Sequence, residues 1–171
     1  MLFRSTPLNQ DYSEQKEGTS RFNPKEVEII EKICAQLDKT WSEKVASGEP
    51  KKEVGIITFY GAQLRLIKDT INSSKFTSLN IRTGTVDIFQ GMERPIIIVS
   101  TVCNNNRRDI GFAKAPERVN VAFSRAQEML IIVGCHDLFT QQSGKVGKMY
   151  QEVAKVVEKY QGFIDVESFD I

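Results

Sequence analysis

Three runs of consecutive apolar residues punctuate an otherwise mixed chain: Val54-Gly55-Ile56-Ile57-Thr58-Phe59-Tyr60, Pro95-Ile96-Ile97-Ile98-Val99-Ser100-Thr101 and Met129-Leu130-Ile131-Ile132-Val133-Gly134. None alternates apolar with polar positions, so each predicts a strand covered on both faces, as in a parallel sheet. Pro95 fits because it starts its strand. Ile81 to Val86 predicts a less apolar strand, and Phe163 to Val166 a short final one. Helical spacing occupies Ala62 to Ile71, Pro116 to Ala126 and Val146 to Tyr160. Upstream, Asn23 can cap a helix, Pro24 suits its first position, and Glu26 stands where a capping-box partner belongs. Val27, Ile30, Ile33, Cys34, Leu37 and Trp41 then form a stripe for packing on a sheet. Alternating strands and helices predict an α/β layered fold with right-handed crossovers. The first residues are polar with few apolar anchors. Residues 1–17 are expected to be a linker or the tail of an upstream domain, and 18–171 the domain itself.

Composition narrows the classes. The chain has 171 residues, 40% hydrophobic and 26% charged, ordinary for a soluble globular domain. No run reaches the roughly 18 apolar residues of a membrane helix, so no membrane association is expected. The N-terminus lacks the apolar run of a secretory signal. A net charge of +1 gives no argument for a nucleic-acid partner. Cys34, Cys103 and Cys135 form no Cys-x-x-Cys pair, so a disulfide framework or zinc site is not expected, and a reducing, cytoplasmic setting is. His136 is the only histidine, which removes most histidine-based metal sites and triads.

Ligands of open α/β sheets sit off the carboxyl ends of strands. The segments expected there, Tyr60–Gln63, Asp87–Glu93 and Cys103–Asp109, are rich in amides, glycine and arginine, groups that hold phosphates and sugars. A phosphate loop, Gly-x-x-x-x-Gly-Lys-[Ser/Thr], is absent. Ser143–Met149 fails because Gln142 stands five residues before Gly147 and Met149 has no hydroxyl for magnesium. No apolar strand ends in an Asp-Glu pair. These residues alone are not expected to assemble an ATPase site. From Arg94 to Arg125, however, six basic residues (Arg94, Arg107, Arg108, Lys114, Arg118, Arg125) face two acidic ones (Asp109, Glu117). That stretch reads either as a solvated basic face or as an anion site shared with another domain.

Two segments carry more. Thr85-Val86-Asp87-Ile88-Phe89-Gln90-Gly91-Met92-Glu93 and Glu117-Arg118-Val119-Asn120-Val121-Ala122-Phe123-Ser124-Arg125-Ala126-Gln127 each run into a buried strand. With Gly55 to Gln63, they resemble motifs V, VI and IV of superfamily 1 helicases, in the branch containing the nonsense-mediated-decay helicase. Gly18 to Asn23 and Ile110-Gly111-Phe112 look like the same branch. The resemblance covers about residues 18 to 140. It implies a RecA-like three-layer domain with a mostly parallel central sheet. It also implies that this is the second of two such domains, which close on ATP and magnesium held mainly by the first. Partners would then be that N-terminal RecA-like domain and single-stranded DNA or RNA.

By resemblance, Arg125 is an arginine finger on the γ-phosphate, and a planar guanidinium can span two phosphate oxygens. The competing reading is a surface salt bridge. Gly91 and Glu93 would bring backbone and carboxylate to the nucleotide ribose; a plain tight turn is the alternative for Gly91. Gln90 and Asp87 look like interdomain or inter-motif contacts, or local caps. Arg118 matches a basic position supporting the phosphate site, and Asn120 would brace the backbone. Thr58, Tyr60 and Thr85 are candidates for nucleic-acid contact, since hydroxyls and backbone N–H groups contact phosphates without reading bases. Thr58 reads equally as a buried strand threonine. Phe59, Met92 and Gln127 depart from the family, the last two removing positive charges. The leading expectation is an ATP-dependent helicase or translocase motor domain, inactive as this fragment. The alternative is a helicase-like module that binds nucleic acid or protein without motor activity.

Overall fold

A computed structural model describes residues 1–71 and 75–168. Its centre is a six-stranded sheet, entirely parallel, in the order β5-β4-β6-β7-β1-β8. The strands are β1 (Leu2–Ser5), β4 (Lys52–Thr58), β5 (Leu79–Thr85), β6 (Arg94–Ser100), β7 (Ala126–Gly134) and β8 (Phe163–Asp165). A separate hairpin pairs β2 (Gln15–Glu17) with β3 (Ser20–Phe22). Among the described residues the α-helices are α1 (Pro24–Ala46), α2 (Gly61–Thr70), α3 (Pro116–Phe123), α4 (His136–Thr140) and α5 (Gly144–Lys159). No helix among the described residues is long and apolar enough to cross a membrane.

The three apolar runs are the central strands, and their continuous hydrophobicity follows from helices on both faces. Val54, Ile56, Ile96, Ile98, Ile131 and Val133 pack with the apolar stripe of α1 and with Ile67 of α2. Their neighbours Ile57, Ile97, Val99, Leu130 and Ile132 pack with Val119 and Ala122 of α3 and Tyr150 of α5. The resulting three-layer arrangement is RecA-like. β5 is less apolar because it is an edge strand, with Asn80 and Arg82 exposed.

Several features differ from expectation. Residues 1–17 include strand β1, which pairs in parallel with both β7 and β8. Phe3, 2% exposed, anchors it against His136 and Phe163, with ring centroids 5.5 and 6.2 Å away. α3 ends at Phe123 rather than Ala126, and β7 begins at Ala126 rather than Met129. There the Arg94 N–H donates to the Arg125 carbonyl at 3.0 Å, extending the β6–β7 ladder into what helical spacing claimed. Finally, Asn23 caps α1 by accepting the Glu26 N–H at 3.3 Å, but Glu26 does not return the capping-box bond. Its carboxylate turns into the core and accepts from Ser100 Oγ and the Val102 N–H.

Candidate functional site

β5 delivers the chain at the sheet's carboxyl edge, and residues 86–93 carry it back to the amino end of β6. Phe89, fully buried, nails this segment to the sheet. Its ring lies flat on two glycines: a Cβ on Gly84 would stand 2.9 Å from Phe89 Cδ2, and one on Gly55 would stand 2.8 Å from Phe89 Cε1. A side chain at either position would displace the ring. Gly55 and Phe89 come from the segments resembling motifs IV and V, so their connection is direct packing. Beyond Phe89 the Met92 N–H closes a turn on the Phe89 carbonyl at 3.0 Å, with Gly91 at φ +80°, a conformation glycine adopts freely.

α3 runs alongside this segment. Arg118 Nη2 donates to Asp87 Oδ2 at 2.5 Å near one end, and Gln127 Nε2 donates to Glu93 Oε2 at 3.4 Å near the other. Arg94 and Ala126, first residues of β6 and β7, are register partners, so Glu93, Arg125 and Gln127 gather at the amino ends of these strands. That is the edge opposite the one where ligands of open sheets were expected to sit. The returning segment, rather than a strand's carboxyl end, carries the proposed ribose carboxylate. Arg125 is half-buried. Its Nε donates to the Val121 carbonyl at 3.2 Å and Nη2 to Ser124 Oγ at 2.9 Å, both neutral acceptors. Among the described residues it forms no ion pair with a carboxylate. Gln90, Gly91 and Glu93 are exposed, and Asn120 is exposed on α3.

The candidates at the carboxyl edge fare differently. Thr58 is fully buried beside Thr85, its register partner on β5, and its hydroxyl has no hydrogen-bond partner among the described residues. Tyr60 is 2% exposed, and its hydroxyl accepts the Phe112 N–H at 3.0 Å and lies 3.5 Å from Cys103 Sγ. Burial pushes the Tyr60 phenol above its ordinary range. Neither hydroxyl faces solvent, and Thr85 alone of the three is half-exposed.

A polar network beneath this edge was not anticipated. Glu26, buried, accepts from Ser100 Oγ at 2.5 Å and from the Val102 N–H at 3.0 Å. Desolvation raises its carboxyl pKa to about 8, against the lowering effect of those hydrogen bonds. Val102 sits at φ +72°, costly for a β-branched residue. Gln63 donates to Ser100 Oγ at 2.9 Å and accepts the Asn23 N–H at 2.7 Å. Nearby, Glu14 accepts from the Asn104 N–H at 2.8 Å and from Arg21 at 3.3 Å, and Arg21 also pairs with Asp109. Arg21 and Asn23 lie in the Gly18–Asn23 segment already noted for its resemblance. Ser100 and Val102, which bond Glu26, and Asn104, which bonds Glu14, are 74 to 90 residues away in sequence and left no local signal.

A family model described as an AAA domain matches residues 1–137. The chain is 33% identical over 138 residues to a Regulator of nonsense transcripts 1 homolog of Neurospora crassa, covering 78% of this chain and 12% of that protein. It is 32% identical over 134 residues to the DNA polymerase alpha-associated DNA helicase A of Saccharomyces cerevisiae, covering 78% and 18%. With the RNA helicase Mov10l1 of Mus musculus it shares 35% over 130 residues, covering 71% and 10%. The chain thus spans less than a fifth of each of these relatives.

Proposed function

Because the chain belongs to this AAA domain family and is a helicase-family domain, we propose that it is the C-terminal motor domain of an ATP-dependent DNA or RNA helicase or translocase. In this reading an N-terminal RecA-like domain holds most of ATP and magnesium, and this chain closes on them. The observation that carries the proposal is Arg125: a half-buried guanidinium held by neutral acceptors, free of carboxylates among the described residues, at the same strand ends as exposed Glu93. A cation so held stays available for phosphate. Glu93 offers acceptor oxygens suited to ribose hydroxyls. This donor set fits the γ-phosphate and sugar of a nucleotide. ATP contributes the phosphoanhydride bond; the part of this chain is to orient the nucleotide and stabilise charge on the transferring phosphoryl group. The bound strand is single-stranded DNA or RNA. Three buried free cysteines support a reducing, cytoplasmic location.

The test is Arg125→Ala in a chain carrying both domains. Nucleic-acid-stimulated ATP turnover at saturating ATP is expected to fall by ~10³–10⁵ while the thermal melt is unchanged. Near-normal turnover would remove the finger assignment. Measurable ATP turnover by the 171-residue chain alone, lost in Arg125→Ala, would overturn the two-domain reading.

A further inference from the structure

Helix α5 carries one apolar row more than the core uses. Gly147, Tyr150, Ala154 and Val157 are its buried residues. Met149, Val153, Val156 and Tyr160 form a second row, at intervals of four, three and four residues, the spacing of a helix–helix seam. At 3.6 residues per turn this row stands about 110° around the helix from the buried one. Met149 and Val153 are half-buried, whereas Val156 is 42% and Tyr160 69% exposed. Beside Met149 and Val153, Phe123 and Asn120 of α3 close the other side of a groove of about 420 Å³. The Phe123 ring is braced edge-on by buried Tyr150, with centroids 5.8 Å apart. Groove and seam together run about 16 Å, three turns of helix.

Charge points to the occupant. Helical period places Lys145, Lys148, Glu152, Lys155 and Lys159 along the flank of the seam away from the buried row. Glu152 is engaged by Lys155 at 2.7 Å. Lys145, Lys148 and Lys159 form no ion pair among the described residues, so the flank is a row of unanswered cations. An apolar stripe at this spacing, walled on one side and basic on the other, matches a helix laid in a groove with acidic residues beside its apolar anchors. A second copy of α5 would set lysine against lysine, which disfavours self-association. A bilayer is flat and does not fill a groove walled by Phe123, and a nucleic-acid strand has no use for an aliphatic seam.

We propose that the α3–α5 groove and the outer seam of α5 dock an acidic amphipathic helix of a partner protein. Its apolar residues lie on Met149, Val153 and Val156, and its carboxylates face Lys145, Lys148 and Lys159. This goes beyond the motor-domain reading and draws on neither Arg125 nor Glu93. Apolar contact supplies most of the affinity, with the flexible thioether of Met149 adapting to the anchor above it. The lysines select acidic over basic helices and speed their association.

The probe is a fluorescein-labelled synthetic helix of about three heptads, with leucine at the a and d positions and glutamate at e and g. Its anisotropy is followed as the 171-residue chain is added. Wild type is expected to bind it roughly ten-fold or more tightly than a lysine-flanked counterpart or a scrambled sequence of the same composition, and less tightly as salt rises. Val156→Glu, at an exposed position, should weaken binding roughly ten-fold or more while the thermal melt is unchanged. Lys145→Glu with Lys148→Glu should transfer the preference to the lysine-flanked peptide. Equal binding of all three peptides, binding of none, or indifference to Val156→Glu would overturn the proposal. Binding of phosphatidylserine-containing vesicles or of labelled oligothymidine that Val156→Glu abolishes, with no acidic-peptide binding, would instead make the face a membrane or nucleic-acid surface. A chain carrying both domains should bind the acidic peptide as the 171-residue chain does. Loss of binding there would assign the face to the contact between domains and overturn the docking site, while the Arg125 test of nucleotide chemistry stands apart.

Discussion

Arg118 and Asp87, thirty-one residues apart, meet through a 2.5 Å hydrogen bond that ties the segment returning from β5 to helix α3. Asp87 is 70% exposed and Arg118 29%, so solvent screens the pair. It is worth at most about 1 kcal/mol to stability. A double-mutant cycle of Asp87→Ala and Arg118→Ala should therefore yield a coupling below ~1 kcal/mol in urea unfolding. In a two-domain chain, the same cycle should show larger coupling in turnover, because the pair sets where the returning segment lies. Equal coupling in both measurements would make it a surface ion pair without functional consequence.

Gly84 supports the same segment from below. Gly84→Ala would put a methyl 2.9 Å from the ring of fully buried Phe89, which has no room to yield. Overpacking of this kind costs ~1–3 kcal/mol. Urea unfolding should read that loss, and adding Phe89→Leu should recover part of it. A neutral Gly84→Ala would show that the ring is not held against the glycine.

Glu26 makes stability depend on pH. Its carboxyl pKa is raised by burial from an ordinary 4.5 to about 8 in the folded chain, so between those values the folded state binds more protons than the unfolded. Stability then falls as pH rises, by up to ~1.4 kcal/mol per pH unit for one group. The favourable contribution is complete below about 4.5 and lost above about 8. Glu26→Gln should flatten the decline in melting temperature between pH 5 and 8 relative to wild type; parallel curves would contradict a protonated Glu26.

Glu93 and Arg125 should separate kinetically, although they share one edge. In a two-domain chain, Glu93→Ala is expected to raise KM for ATP with little change in kcat, having lost a ribose contact made equally in ground and transition states. Arg125→Lys should lower kcat with KM nearly constant, since an ammonium cannot span two phosphate oxygens. Steady-state kinetics on both variants decide it, and the reverse pattern would overturn both assignments.

Much of this protein was legible in its linear order. Three unbroken apolar runs dictate central parallel strands, because only a strand covered on both faces has no use for polar alternation. The Asn23-Pro24 start of α1 and the stripe from Val27 to Cys34 are likewise local facts, set by capping and by helical period. The segments holding Glu93 and Arg125 were recognisable because their residue order is distinctive. What the fold alone decided depends on partners remote in sequence. Strand β1 looked like a linker because four residues beginning Leu2-Phe3 carry too little pattern; the sheet gives them β7 and β8 as neighbours. Glu26 looked like half of a capping box until Ser100 and Val102 arrived beside it. Thr58 and Tyr60 carry hydroxyls that read as ligand contacts, and only packing showed them enclosed. The gathering of Glu93 and Arg125 at the amino ends of β6 and β7 is a property of strand register, which brings residues 93 and 125 together because Arg94 and Ala126 open neighbouring parallel strands.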